Sequence, residues 1–242
     1  MKVVLTENQL NNLILIEEVK IVLSESLNEN LNFDILKSKI KKLLLNGVAI
    51  ASILAAIHSV NVSNKEKEAL VNIAKQEQEM LEKERFKQDS ITNAKINACN
   101  EYMLKALNNQ GFNQDSTKLT AEAMVKESEK HNFDLPLLMA AAHLESCFGA
   151  TPRAQRTNSV FSVGSYDNGR NVVKYNHPND SIEGYISLLN NDYLINGKTI
   201  NDLLKPGAFV NKNGHRFASD KNYEKNINYI RNKIINEYPE LN

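Results

Sequence analysis

The stretch Ala140–Ala150, AAAHLESCFGA, places a glutamate on the face of a helix that should be buried. The residues of that face recur at spacings of three, four and three: Leu138, Ala141, Glu145 and Phe148. A carboxylate loses favourable hydration when it is buried. Such a residue is therefore paired with a cation, kept neutral by a raised pKa, or retained for function.

The composition limits the possible classes of function. The chain has 242 residues, enough for one large domain or two modest ones. Its 29 Lys and Arg residues balance 29 Asp and Glu residues, so a nucleic-acid partner is not expected. Cys99 and Cys147 match no metal-ligand spacing, and neither do His177 and His215. We therefore predict neither a metal ion nor another cofactor.

One apolar stretch raises the question of a membrane. Leu43–Ile57 has about 15 residues, fewer than the roughly 20 that a membrane-spanning helix needs, and Asn46 and Gly47 interrupt it. The N-terminus MKVVLTENQLNNL also lacks the parts of a secretory signal. We predict a buried helix of a small bundle here, and no membrane contact.

Helical patterns dominate the first half of the chain. A capping box at Ser63–Glu66 opens one charged helix, and Ile91–Leu107 has the pattern of another. The polar, glycine-containing stretch Asn108–Ser116 then separates two helical patterns. We predict a helical docking or structural region over residues 1–110 and a second domain over residues 116–242.

Within the second domain the sequence pattern changes from helical to alternating and back to helical. Asp134 is expected to cap the helix that carries Glu145, and Gly149 to end it. Asn158–Tyr175, NSVFSVGSYDNGRNVVKY, alternates around Asp-Asn-Gly and predicts a short β-hairpin. The predicted fold class is mainly α: an N-terminal helical region, then a lysozyme-like α+β domain with a small β-hairpin.

Glycosidic bond cleavage would explain the glutamate. This reaction needs a proton donor at the leaving oxygen, and the donor must keep its proton near neutral pH. Apolar surroundings raise a carboxyl pKa and so hold it in the acid form. The structural alternative is a glutamate that pairs with an arginine such as Arg153 or Arg156. Position on the helix face does not decide between the two.

Three motifs in the second half resemble those of the glucosaminidase family of bacteria and phages. They are HLESCFG, TNSVFSVGS and HRFASDKNYEKNINYI, between about Ser116 and Glu240. Family members show a LES-aromatic-Gly run, an Asn-Leu-Phe-Gly run and a Tyr-Ala-Thr-Asp-x-Asn-Tyr run in this order. The resemblance implies an endo-β-N-acetylglucosaminidase that cleaves the β-1,4 bond after N-acetylglucosamine in peptidoglycan glycan strands, with Glu145 as general acid.

The resemblance also implies residues that contact sugar. Asn158 and Phe161 match the motif of the cleft floor, although Ser162 stands where glycine is usual. Phe217 replaces the first tyrosine of the third run, and Tyr223 matches the later one. The predicted substrate-binding residues are Phe148, Asn158, Phe161, Tyr166, Phe217 and Tyr223. The aromatic residues that could stack on sugar rings are Phe148, Phe161, Tyr166, Tyr175 and Phe217, and since most such residues belong to the core, at most two of them are expected to touch sugar.

A second carboxylate acts as base or nucleophile in most glycosidases. In glucosaminidases it is thought to lie on the hairpin, whose turn here reads Tyr166-Asp167-Asn168-Gly169. Asp167 is therefore the candidate, although aspartate before Asn-Gly is also ordinary turn chemistry. The N-acetyl group of the substrate replaces this carboxylate in some families. Asp220 is expected to cap the final helix rather than to act in catalysis.

Two other functions remain open. A lytic transglycosylase would use the same Glu145 with the muramyl hydroxyl as internal nucleophile. A non-catalytic virion or wall-binding protein on a degenerate lysozyme scaffold is suggested by Ser162 and Phe217.

The first residues add a second resemblance. MKVVLTENQLNNLI is similar to the Leu-Thr-Glu-x-Gln-Leu opening of some phage virion proteins. This implies a phage lysin, carried in the virion or made in the host cell, that acts on the cell wall in the periplasm. Its N-terminal helices would then dock onto other virion proteins.

Overall fold

The computed structural model describes residues 17, 20, 21, 33–59, 63–164 and 172–242. The chain divides into two compact units, Met1–Asp89 and Ser90–Asn242, and each has its own apolar core. The prediction of a mainly helical protein is confirmed, because helices account for most of the chain.

The first unit contains α1 (Phe33–Leu45), α2 (Ile50–Ser59) and the first part of α3 (Asn64–Asn109). Gly47 has a φ of +82°, a backbone conformation that glycine adopts without strain, and it lies in the turn between α1 and α2. The apolar stretch Leu43–Ile57 thus belongs to two helices rather than one. No helix among the described residues is both long and apolar enough to cross a membrane.

The helix α3 runs without interruption for 46 residues, where the sequence patterns indicate two separate helices. Asp89 and Ser90, between those patterns, are neither glycine nor proline. Without such a residue the backbone hydrogen bonds of the helix continue across a change in side-chain pattern. The predicted separating stretch, Asn108–Ser116, therefore follows the end of a single long helix.

The second unit packs around α5. Besides the last part of α3, its helices are α4 (Ala121–Lys130), α5 (Leu135–Ser146), α6 (Pro152–Thr157), α7 (Asp180–Leu188), α8 (Ile200–Leu203) and α9 (Tyr223–Glu237). Every residue of α5 from Leu135 to Ala142 is buried, and α5 packs mainly against α9. A helix that is apolar on all sides is stable only inside a core. The core of this unit therefore fixes the position of α5.

Both ends of α5 are closely held. As predicted, Asp134 caps the first turn, since its carboxylate accepts a 2.7 Å hydrogen bond from the backbone N–H of Leu137. The helix ends in three successive residues with positive φ: Cys147 (48°), Phe148 (58°) and Gly149 (86°). This left-handed turn stops the helix directly after the turn that carries Glu145.

The predicted β-hairpin is not confirmed. Its turn, residues 165–171, lies outside the described residues, and its flanks 158–164 and 172–175 are turns and irregular backbone. The flanks still lie side by side, because Val173 N–H donates to the Val163 carbonyl at 3.0 Å. Ser162 (φ 52°) and Gly164 (φ 70°) depart from the extended backbone that a strand requires.

Candidate active site

Glu145 lies in the last turn of α5, one turn beyond the fully buried part of the helix. Its neighbours Ser146, Cys147 and Phe148 are buried, but part of the Glu145 side chain is exposed. The Ser146 hydroxyl donates to the Val160 carbonyl at 2.7 Å, and this fixes the helix end to the segment that follows α6. The side chain is thus held on a rigid element and is not fully enclosed by the core.

Burial raises the pKa of Glu145 above its ordinary value. The hydroxyls of Tyr223 and Ser162 and the charge of Arg153 act in the opposite direction, and burial outweighs them. The Tyr223 hydroxyl lies close enough to the carboxyl group to lower its pKa. The net shift is toward the protonated form, which is the direction that a general acid requires.

Arg153, on α6, is a cation whose charge lowers the pKa of Glu145. Among the described residues no cation forms an ion pair with Glu145, and the Nε and Nη2 atoms of Arg153 are buried without hydrogen-bond partners. The guanidinium thus acts on the carboxyl through its charge and not through direct contact. The alternative of a carboxylate neutralised by a paired arginine does not apply within this part of the chain.

A groove of about 640 Å³ opens beside this site. Ser162, whose hydroxyl acts on the Glu145 carboxyl, forms part of its wall, whereas Glu145 is not among the lining residues. The lining is both polar and apolar: Ser162, Gly164, Leu188, Tyr193, Asn211, His215, Arg216, Phe217, Ala218 and Ser219. Sugar-binding sites combine such hydrogen-bonding groups with flat apolar surfaces.

A cluster of aromatic rings forms the floor between this groove and the core. Phe161 stacks on Tyr185 with ring centroids 4.6 Å apart. Phe217 is partly exposed in the groove, and its ring contacts those of Tyr185, Tyr193 and Tyr223. Phe217 therefore combines an exposed ring surface in the groove with a rigid support.

Among the described residues, the other predicted substrate-binding residues do not line this groove. Phe148 and Phe161 have no exposed surface, and Tyr223 is also buried. Asn158 instead donates its amide hydrogens to the carbonyls of Tyr175 and Asn176, at 2.9 and 3.0 Å, and so joins the two flanks of the predicted hairpin. Tyr166 is outside the described residues. Sugar contacts by these residues stay predictions.

The second carboxylate is not located. Asp167 lies outside the described residues. Asp220 accepts a 2.9 Å hydrogen bond from the backbone N–H of Asn222, just before α9, so it holds the turn that begins this helix. Glu224 is buried and receives a 2.9 Å hydrogen bond from Arg216, which keeps the groove-lining segment against α9.

Sequence patterns did not identify several residues of the site. Tyr185 has the spacing of a core residue on α7, and nothing in the sequence shows that its hydroxyl lies near Glu145. Tyr193 lies in a single π-helical turn, Leu189–Tyr193, that no local pattern predicted. Glu224 follows Tyr223 in an ordinary helix start, and only the fold brings Arg216 to it.

Comparison with known proteins gives one match. Residues 121–236 match the family model Glucosaminidase, described as mannosyl-glycoprotein endo-beta-N-acetylglucosaminidase. No curated protein and no solved structure matches the chain. The resemblance of the C-terminal half to this family, predicted from three short motifs, is confirmed. In general terms, the match supports a glycoside hydrolase that acts on peptidoglycan.

Proposed function

We propose that the second unit is an endo-β-N-acetylglucosaminidase that hydrolyses the β-1,4 bond after N-acetylglucosamine in peptidoglycan glycan strands. One observation carries the proposal: Glu145, a partly buried residue whose pKa is raised by burial, interacts with Ser162 of the groove wall, within the segment that matches the family. A glycan strand in the groove would bring a glycosidic oxygen within reach of this acid.

In the proposed reaction, protonated Glu145 donates its proton to the glycosidic oxygen as the bond from that oxygen to the anomeric carbon breaks. Positive charge then develops on the anomeric carbon and the ring oxygen. Water completes the hydrolysis: its oxygen bonds to the anomeric carbon, and its proton passes to a base. Phe217 and the polar side chains of the groove would hold the sugar rings during these steps.

Glu145→Gln tests the proposal directly. Glutamine has nearly the same shape but cannot supply the proton, so we expect cleavage of purified peptidoglycan to fall at least about 100-fold. Glu122→Gln is the matched control, because Glu122 is exposed on α4 and pairs with Lys126. Equal clearing by wild type and Glu145→Gln would contradict the proposal and favour a non-catalytic wall-binding or virion protein.

A lytic transglycosylase is the second candidate. It needs no second carboxylate, and no free carboxylate is described beside Glu145: Glu224 is paired with Arg216, and Asp220 holds the start of α9. Mass spectrometry of the released glycans separates the two reactions. Reducing N-acetylglucosamine ends support hydrolysis, whereas anhydro-muramyl ends would show that the muramyl hydroxyl is the nucleophile.

We also propose Asp167 as the second carboxylate, on the basis of the sequence motif alone. If Asp167 is the base or nucleophile, Asp167→Asn lowers kcat about 100-fold and leaves KM nearly unchanged. Asn168→Ala, in the same turn, is the control for a general disturbance of the segment. An unchanged kcat in Asp167→Asn would assign the role to the N-acetyl group of the substrate or to internal attack.

Phage origin and virion docking are proposals that rest on the Leu-Thr-Glu-x-Gln-Leu opening alone, which lies outside the described residues. If the first unit docks onto a virion protein, mass spectrometry of purified virions detects this chain in stoichiometric amounts. Its absence from virions, together with accumulation in lysing cells, would instead indicate a free lysin.

A further inference from the structure

The groove whose wall includes Ser162 adjoins a second cavity of about 530 Å³. Tyr193 and Asn211 line both cavities, whereas Ser162 lines only the first and Lys198 only the second. Each cavity has a volume typical of a site for a small ligand, about 300–1,000 Å³. The surface that a long substrate could occupy therefore extends from Ser162 past Tyr193 to Lys198.

The boundary between the two cavities is held in place by the fold. The Tyr193 ring packs against Phe209 and Phe217, with ring centroids 5.5 and 5.8 Å apart. The side-chain oxygen of Asn211 accepts a 2.9 Å hydrogen bond from the backbone N–H of His215. Both residues of the boundary thus have fixed positions, and the two cavities keep the same relation to each other.

The charged residues that line the second cavity differ in their pairing. The Lys212 Nζ atom lies 2.6 Å from the Asp192 carboxylate, and the Asp202 carboxylate lies 2.7 Å from the Lys205 Nζ atom. In the described part of the chain, no acidic side chain forms an ion pair with Lys198, the third charged residue of this lining. The second cavity therefore has an uncompensated positive charge at Lys198.

The first cavity does not offer a lysine or arginine of this kind. Arg216, in its lining, is paired with the buried Glu224 at 2.9 Å. Within the described linings of both cavities, Lys198 is thus the lysine or arginine that lacks an acidic partner. Recognition of a negative charge along this surface would depend on Lys198.

The ammonium group of Lys198 is held without being saturated. Lys198 is partly buried, and its Nζ atom donates a hydrogen bond to the Ala208 carbonyl. An ammonium group has three N–H donors, and within the described residues this bond uses one of them. The carbonyl fixes the position of the charge, and two donors remain for an anionic ligand in the cavity.

We propose that Lys198 binds a carboxylate carried by a muramyl residue of the glycan strand and so selects peptidoglycan over uncharged glycans. The inference rests on the proposed function and names the feature of the substrate that the second cavity recognises. A muramyl residue carries a lactyl group, which ends in a free carboxylate in bare strands and is joined to a peptide with its own carboxylates in substituted strands. A lysine ammonium binds either carboxylate as a point charge with hydrogen bonds.

Kinetics of the full-length wild type on three soluble substrates test the proposal. They are strands that carry peptides, bare strands freed of peptides by an amidase, and strands whose carboxyl groups have been amidated. We expect a KM about tenfold higher on amidated strands than on the preferred charged strands, with a similar kcat. A low KM on peptide-bearing strands identifies a peptide carboxylate, and a low KM on bare strands identifies the lactyl carboxylate.

The two proposals fail in different ways in this experiment. Equal KM values on all three substrates would overturn the inference and leave the proposed function intact. Failure to cleave any of them would refute the proposed function itself.

Substitutions of Lys198 assign the effect to this side chain. Lys198→Gln should raise KM about tenfold on the preferred charged strands and leave both kcat and the KM on amidated strands unchanged. Lys198→Arg keeps the charge and should recover most of the affinity. Lys225→Gln is the matched control, because Lys225 is exposed on α9 and lines neither cavity. An equal rise in KM on amidated strands would mean that Lys198 acts through the fold, and it would overturn the inference.

Salt dependence of the wild type gives a measurement that needs no variant. It remains decisive if loss of the bond to the Ala208 carbonyl prevents Lys198→Gln from folding. Dissolved salt screens the attraction between exposed charges, so KM on charged strands should rise with NaCl concentration while KM on amidated strands stays constant. The same salt response on charged and amidated strands would contradict the proposed contact.

Discussion

At the scale of single residues, the pKa of Glu145 is set by burial, which raises it, against the Tyr223 and Ser162 hydroxyls and the charge of Arg153, which lower it. Burial raises the pKa of its carboxyl group, while Arg153 lowers it without forming an ion pair. A direct ion pair would hold the carboxylate in its charged form and remove its use as an acid. In the proposed mechanism, a guanidinium at a distance leaves Glu145 able to donate its proton and would stabilise the negative charge that forms after proton transfer.

Arg153→Met should therefore extend the activity to higher pH. A general acid works only when it is protonated, so activity is lost as the pH rises through the pKa of Glu145. Without the positive charge this pKa rises further, and the alkaline limb of the kcat profile moves to higher pH. Arg156→Met, exposed on the same helix, serves as the control and should leave the limb in place. A limb that moves to lower pH in Arg153→Met would contradict this account of the site.

The sequence patterns correctly predicted those structural features that depend on only a few neighbouring residues. The face of α5 and its cap at Asp134 follow from spacing and capping rules over a few residues. The buried positions of Phe148 and Phe161, and the approach of Tyr185 to Glu145, depend on packing between distant segments. Helical spacing marks an aromatic residue as apolar, but it does not show where the polar tip of the side chain points.

At the scale of elements, α5 is fixed to α9 through its first turn. The Asp134 carboxylate caps α5 and also accepts hydrogen bonds from Arg231 of α9, with Nε 3.1 Å from both carboxylate oxygens. Both side chains are largely buried, so solvent screens this pair less than it would a surface ion pair. One residue thus sets both where α5 begins and what it packs against.

Substitutions of Asp134 separate these two contributions. Asp134→Ala removes the cap and the ion pair, and we expect the free energy of unfolding to fall by about 2–4 kcal/mol. Asp134→Asn keeps a capping oxygen but loses the charge, so its free energy of unfolding should lie between those of Asp134→Ala and wild type. Urea denaturation of the three proteins measures the differences. Equal stability of the alanine and asparagine variants would show that the cap contributes nothing.

The glycine of α7 makes room for the segment that returns from the predicted hairpin. A Cβ atom at Gly184 would lie 2.3 Å from the Tyr175 hydroxyl oxygen and 3.0 Å from its Cζ atom. Tyr175 in turn donates its backbone N–H to the Thr157 carbonyl at 3.0 Å. The close approach of α7 and Tyr175 therefore holds this flank in place.

Gly184→Ala should destabilise the protein even though alanine favours helices. Helix propensity alone would stabilise it by about 1 kcal/mol, but the collision with Tyr175 must displace that ring. We expect a lower Tm, and partial recovery when Tyr175→Phe removes the colliding oxygen. Thermal denaturation of the single and double variants measures both effects. A higher Tm in Gly184→Ala alone would contradict this packing.

The alternating sequence pattern predicted a β-hairpin that the described residues do not contain, and the reason lies in the backbone of its flanks. Its flanks have the period-two pattern of strands, and they lie side by side through the hydrogen bond from Val173 to Val163. Positive φ values at Ser162 and Gly164 nevertheless interrupt the extended backbone. A serine adopts such a conformation only where tertiary contacts hold it, and a single sequence does not reveal those contacts.

At the scale of the whole molecule, the two units have separate apolar cores. The first core includes Ile53 from α2 and lies within residues 36–81, whereas the second lies within residues 98–241 and includes Ile182 from α7. Glu145 and the groove belong entirely to the second unit. The stability of the first unit should therefore change without a change in the chemistry of the site.

Ile53→Ala and Ile182→Ala should consequently have different effects. Both side chains are fully buried, and each truncation should lower the stability of its own unit by about 2–5 kcal/mol. In calorimetry, Ile53→Ala should shift only the transition of the first unit and leave peptidoglycan cleavage at lower temperature unchanged. Ile182→Ala should shift the other transition and reduce cleavage, because α7 also carries Tyr185. Loss of cleavage in Ile53→Ala, below its transition, would mean that the first core supports the site.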